Sequence, residues 1–190
     1  GPAFATAGIL GTRSATLSNS AGAATGVTST FLSTVGTTGT IRSVKISLCT
    51  SPLLSVGCVS PAGATMGSAS VTSPTTSELK NGGAIGANAF ATITYTSTTD
   101  ACYSNATGTA FTAGDTLTMP ITTISLPTAV NTEFYLREQT FSAATCATAV
   151  DFGGIAESTS QQLAVTAVVQ EDLTFCIGVT ITSACGTVGS

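Results

Sequence analysis

Six cysteines, nine carboxylates and one asparagine sequon are the groups in this chain with chemistry to offer, and the absence of histidine limits all of it. Without His, the commonest general base and the usual partner of a serine or cysteine nucleophile are missing. Paired carboxylates would still serve glycoside hydrolysis. Glu133 and Glu138, however, are five apart on an extended stretch and point to opposite faces. Asp151 and Glu157 flank a Gly-rich run, and Glu171 and Asp172 are adjacent. Sugar clefts also use aromatic stacking, and here there is no Trp and only three Tyr. The carboxylates therefore read as solvated, no catalytic residue is assigned, and the chain is expected not to be an enzyme.

Metal and covalent chemistry fare no better. No C-x-x-C occurs, and mixed Cys/His zinc sites are excluded. Asp100, Asn105 and Asp115 surround one stretch but lack the alternating acids of a calcium loop, so neither metal nor cofactor is expected. Asn105-Ala106-Thr107 is a sequon that makes Asn105 a candidate glycan acceptor. A Lys–Asn isopeptide needs a buried lysine. Lys45 falls on an outward face and Lys80 sits beside Asn81 in a Gly-rich segment, so both read as surface lysines.

The cysteines carry the strongest signal. Cys49 and Cys58 have eight residues between them, as do Cys176 and Cys185. Each spacing suits a bridge closing a local loop, which leaves Cys102 for Cys146; free buried thiols are the alternative. An even count in an acidic, hydroxyl-rich chain favours an oxidising compartment.

The elements that would position these groups read as strands. Residues 162–185 form the longest β-branched run, with Leu163, Val165, Ala167 and Val169 on one face. That period of two is a strand signal. Residues 12–18, 26–35, 40–50, 87–98, 116–126 and 131–142 read the same way. Val44, Ile46 and Leu48 point inward, and Phe134 and Leu136 oppose Tyr135, Arg137 and Gln139. Pro120 confines its strand to an edge or a bulge. Residues 51–77 and 100–114 read as loops, a further loop carries Cys146 and Gly153-Gly154, and residues 78–86 hold one helical turn at most. The pattern predicts an all-β, disulfide-stapled antiparallel β-sandwich, Ig-like or jelly-roll-like, of about seven to nine strands. Residues 1–11 read as an N-terminal extension and 12–190 as one domain.

Composition bounds the partners. Only 7% of residues are charged, against about 25% in ordinary soluble domains. A surface coated with hydroxyls rather than ions suits a protein packed into an assembly, glycosylated or fixed to a surface. The net charge of −4, with five scattered cations, argues against nucleic acid and anionic lipid. No apolar run reaches the roughly 18–20 residues of a membrane helix.

Residues 131–142 (NTEFYLREQTFS) and 163–178 (LAVTAVVQEDLTFCIG) resemble exported surface proteins of candidate-phyla, ultra-small bacteria. The β domains of that family share a T-V-Q-E-x-L-T-F-C-x-G strand and a downstream Cys. Residues 20–31 and 39–52 fit the same pattern. The resemblance implies a cell-surface location, a β-sandwich and no known enzyme activity. The expected role is a structural subunit of an extracellular filament, pilus- or thread-like, whose partner is another copy of itself. Phe4, Ile9 and Leu10 would complete a neighbour's sheet as a donor strand; the other reading has residues 3–10 as the first strand of their own sandwich. The other expectation is a monomeric adhesion or surface-layer module that binds a host-cell glycan or protein through residues 51–77 and 100–114.

Overall fold

A computed structural model describes residues 8–67, 70–71, 78–85, 89–90 and 92–161. Phe4 and the apolar run 162–185, with its Cys176 and Cys185, lie outside the described residues. Twelve strands order the rest: β1 (Gly8–Ile9), β2 (Arg13–Leu17), β3 (Val27–Thr34), β4 (Gly39–Cys49), β5 (Ser70–Val71), β6 (Leu79–Lys80), β7 (Gly83–Ala84), β8 (Thr92–Thr96), β9 (Asp100–Phe111), β10 (Thr116–Ile124), β11 (Glu133–Phe141) and β12 (Ala149–Ser158). No described residue is helical. No helix among them is long and apolar enough to cross a membrane.

The strands form two sheets, ordered β1-β12-β11-β4-β9-β8 and β2-β3-β10-β6-β7, with β5 also on β10. All the strand pairings are antiparallel except β1 on β12. The inner faces meet in one core. Val44, Ile46 and Leu48 of β4, Tyr103 of β9, and Phe134 and Leu136 of β11 face Phe31 of β3 and Leu117, Met119 and Ile121 of β10. Burial follows the expected alternation in β3, β4 and β11 because period-two strands covered on one face must segregate their apolar residues. The fold is the disulfide-stapled β-sandwich that this pattern predicts.

Several local expectations are corrected. The stretch expected as a 100–114 loop is mostly β9, an inner strand of the first sheet, and its Asn and Gly residues collect in one bulge. There the pairing jumps from Ser43↔Ser104 to Ile41↔Thr109, and Gly108 takes φ +75°. The Gly153-Gly154 pair, expected in a loop, lies inside β12. Residues 78–86 hold a hairpin and no helical turn: Asn81 and Gly82, both at positive φ, join β6 to β7 as a type I′ turn does. Pro120 lies in an interior strand. β6 pairs with β10 at Leu117 and Thr118 and β5 at Ile121 and Thr122, so the described pairings on that side skip the proline, and a register shift follows at Ile121/Ile124.

Candidate functional site

Both described disulfides lie on the outer face of the first sheet, since Cys49 and Cys102 alternate with the inward Leu48 and Tyr103. Cys49–Cys58 ties down residues 51–57, and Cys102–Cys146 ties down the β11–β12 connection, which Ser43 also holds by donating to the Ala143 carbonyl at 2.6 Å. These are the two pairings expected from locality.

Between the sheet and the first of these loops lies a pocket of about 410 Å³, floored by Lys45 and Ser47 of β4, Asp100 of β9, and Arg137 and Gln139 of β11. The outward alternation of three neighbouring strands puts them on one patch. Arg137 is 3% exposed because the loop folds over it. Its Nε donates to the Ser51 carbonyl at 2.7 Å and its Nη1 to the Val56 carbonyl at 3.0 Å, while Nη2, closed to solvent, has no hydrogen-bond partner among the described residues. Burial pushes this guanidinium's pKa down and the charge of Asp100 pulls it back up. Asp100 accepts from the hydroxyls of Ser47 and, at 2.7 Å, Thr99. Lys45 Nζ sits 5.7 Å from the centre of the Phe141 ring. The pocket is thus polar, carries two cations to one carboxylate, and has Leu54 and Val56 on its rim.

The second arrangement seats the N-terminus. Gly8 and Ile9 pair with Asp151 and Phe152, and Leu10 N–H donates to the Phe152 carbonyl at 2.9 Å. The chain then crosses to the second sheet, where Gly11 N–H donates to Thr34 at 2.6 Å. Leu10 is fully buried in its own domain, whereas Ile9 is 69% exposed. Asp151, also fully buried, accepts from the N–H groups of Gly36 and Thr37 at 3.1 Å and from the Thr37 hydroxyl at 2.7 Å. Arg13 donates to the carbonyls of Leu10 and Gly154. Glycines make the close approach feasible. A Cβ on Gly36 would lie 2.2 Å from the Ile9 oxygen, one on Gly8 2.2 Å from Asp151 Oδ1, and one on Gly153 2.2 Å from Arg13 Cδ. Gly36→Ala should therefore lift β1 off β12 and cost about 1–3 kcal/mol, read as faster amide exchange at Leu10 and a lower melting temperature; unchanged exchange at Leu10 would mean the seat is not that tight.

No family model, curated protein or solved structure matches this chain. Its function must be argued from these two arrangements.

The carboxylates are not the solvated groups expected from sequence. Glu138 is fully buried on the inner face of β11, where Ser33 donates to its Oε1 at 3.1 Å and Oε2 has no hydrogen-bond partner among the described residues. Desolvation pushes its pKa up to about 7, against the smaller opposing effects of Ser33 and Arg13. Glu78 is also fully buried and accepts from Phe90 N–H at 3.2 Å. Inner-face positions carry acids here because hydroxyls and backbone N–H groups from neighbouring segments reach them. Glu133 is exposed and accepts from the Tyr135 hydroxyl.

The other singled-out residues are dispersed. Asp100 opens the long β9 and Asp115 lies past its other end, and among the described residues no group of acids or cysteines is placed to hold a metal ion. Asn105, 7% exposed, donates from Nδ2 to the Thr109 hydroxyl at 3.1 Å and accepts from Gly108 N–H at 3.0 Å. The nitrogen that would carry a sugar is thus engaged within the β9 bulge. Lys80 pairs with Asp115 at 3.0 Å at the surface, next to the Asn81 amide that donates to the same carboxylate at 2.7 Å.

Neither the pocket nor the seat was singled out by motif. Alternation alone puts Lys45, Arg137 and Gln139 on outward faces, and that is the local part of the signal. Their convergence needs the β4–β11 register, in which Lys45 pairs with Gln139 and Ser47 with Arg137.

Proposed function

We propose that this chain is a non-enzymatic subunit of an extracellular surface filament, and that copies join by exchanging the N-terminal strand. The observation that carries the reading is the seat itself. A two-residue strand, bonded in parallel to the outer edge of β12, is admitted by glycines on both sides and is followed by a fully buried leucine, Leu10. Residues 8–10 of a neighbour would make the same contacts there, so exchange adds no new strain to the domain. Augmenting an open sheet edge in this way supplies main-chain hydrogen bonds, and a side chain in a pocket supplies register. Disulfides between distant segments fit an oxidising compartment. A surface with 7% charged residues fits a protein covered by its own kind. The buried carboxylates are each used by neighbouring hydroxyl or N–H donors, which supports the non-enzymatic part of the reading.

A cross-link tests it. Ile9 and Phe152 are paired on β1 and β12, so Ile9→Cys with Phe152→Cys places two thiols within disulfide reach. Oxidised native assemblies should give a ladder of covalent multimers on a non-reducing gel. Exclusively internal cross-links in assembled material would rule out exchange.

The outer-face pocket favours a second reading, a monomeric adhesion or surface-layer module that takes its ligand beneath the Cys49–Cys58 loop. A native particle of single-chain size would favour it over the filament.

A further inference from the structure

We propose that the pocket beneath the Cys49–Cys58 loop binds a carboxylate-bearing sugar. This inference rests on the pocket alone and holds however the copies associate.

Two of the chain's five cations, Lys45 and Arg137, line one cavity of about 410 Å³ in a protein of net charge −4. The single carboxylate there, Asp100, already receives hydroxyl donors from Ser47 and Thr99. Asp100 offsets part of the charge on Arg137, so the cavity keeps one positive charge in excess. The other cations are occupied elsewhere: Arg13 by backbone carbonyls of the N-terminal seat, Arg42 by the Ala106 carbonyl, and Lys80 by Asp115. Arg137 is held in place through Nε and Nη1 by two loop carbonyls, and its Nη2, without a hydrogen-bond partner among the described residues, is closed off from solvent, so Arg137 acts on the cavity through its charge and Lys45 is the cation a ligand would touch. A carboxylate answers such a site better than a neutral oxygen, because charge-assisted hydrogen bonds are roughly twice as strong.

The remaining lining sets the class of the carboxylate. Gln139 offers both a donor and an acceptor, and Ser47 and Asp100 offer acceptors for hydroxyl hydrogens. Leu54 and Val56 give an apolar rim against which the carbon face of a ring can lie. The volume falls in the range of small-ligand sites, about 300–1,000 Å³, and is large enough for one or two sugar rings. An acidic sugar presents all three features together: one carboxylate, several hydroxyls and an apolar face.

The test titrates the full 190-residue chain, isotopically labelled, with galacturonic acid, galactose, inorganic sulfate and a short Glu-containing peptide, following amide shifts by NMR. Galacturonate should shift residues 45, 47 and 137–139 at concentrations where galactose does not, and the effect should weaken with added salt. Lys45→Gln, at a half-exposed position, should weaken binding about tenfold while the remaining spectrum stays that of the folded chain. Gln139→Leu should weaken galacturonate more than it weakens sulfate. Equal binding of galactose, displacement of galacturonate by an equal concentration of sulfate, tighter binding of the peptide, or shifts confined to other residues would each overturn the proposal.

Discussion

Glu138→Gln should raise the melting temperature at pH 8 by roughly 6–12 °C and remove most of its dependence on pH between 4.5 and 7. The carboxyl lies on the inner face of the sandwich, and burial raises its pKa from 4.5 to about 7. Its folded-state pKa lies above the unfolded value, so the folded chain binds the extra proton between those two pH values. Stability is therefore fully present below about pH 4.5, falls as pH rises, and levels off above about pH 7. The shift corresponds to about 3 kcal/mol. Glutamine mimics the protonated acid and keeps an oxygen to accept from Ser33. Glu157, raised in the same direction by burial, adds to the same slope. Asp115 acts in a different window: bonds from Thr112 N–H, Asn81 and Lys80 lower its pKa to about 2, so what it contributes is lost only as the solution becomes strongly acidic. Thermal melts of wild type and variant from pH 4 to 8 provide the measurement. A wild-type curve that rises with pH across this interval would contradict the placement of Glu138.

Removing the Cys102–Cys146 bridge should cost about 4 kcal/mol, and removing Cys49–Cys58 about 3 kcal/mol, on the chain-entropy account of cross-links. The difference follows from loop length, with sequence separations of 44 and 9. The longer bridge links an inner strand to the β11–β12 connection, so its loss also frees the loop that Ser43 holds. The shorter bridge confines only the loop over Arg137. Denaturant unfolding of the two double Cys→Ala variants separates these contributions. A larger loss from the local bridge would show that native packing of the loop, rather than closure entropy, sets the order. Amide exchange in residues 51–57 should quicken in the Cys49/Cys58 variant while the core stays protected.

How much of this was legible beforehand depends on how locally each feature is determined. Val44, Ile46 and Leu48, and Phe134 and Leu136, announce their face because alternation is a property of consecutive residues. β9 did not announce itself. Asp100, Ser104, Asn105 and Gly108 are weak strand formers, and the segment is extended because β4 and β8 flank it on both sides. The Gly153-Gly154 pair reads as a break for a related reason: Gly153 admits Arg13 and Leu10, which are far away in sequence. The Asn81-Gly82 dipeptide is a hairpin signal, yet residues 78–86 read as one helical turn at most because the flanking strands are two residues each and carry no periodicity. Glu138 is the clearest limit. Its position on an inner face follows from counting along β11, yet that a carboxylate would occupy an inner face depends on Ser33 across the sandwich. The pocket lies further still from the sequence, since it needs three strands in register and a loop folded back by a disulfide.

The parallel pairing of Gly8 and Ile9 with Asp151 and Phe152 has a consequence for the order of events during synthesis. The partners are some 140 positions apart, so the first described strand to leave the ribosome waits until nearly all the others have been made. Closing so long a loop adds entropy only slowly with length, but it makes this contact a late and slow one. Each newly made chain thus passes through an interval in which residues 8–10 are made but their berth on β12 does not yet exist. During that interval local chain density sets the competition between a chain's own end and a neighbour's.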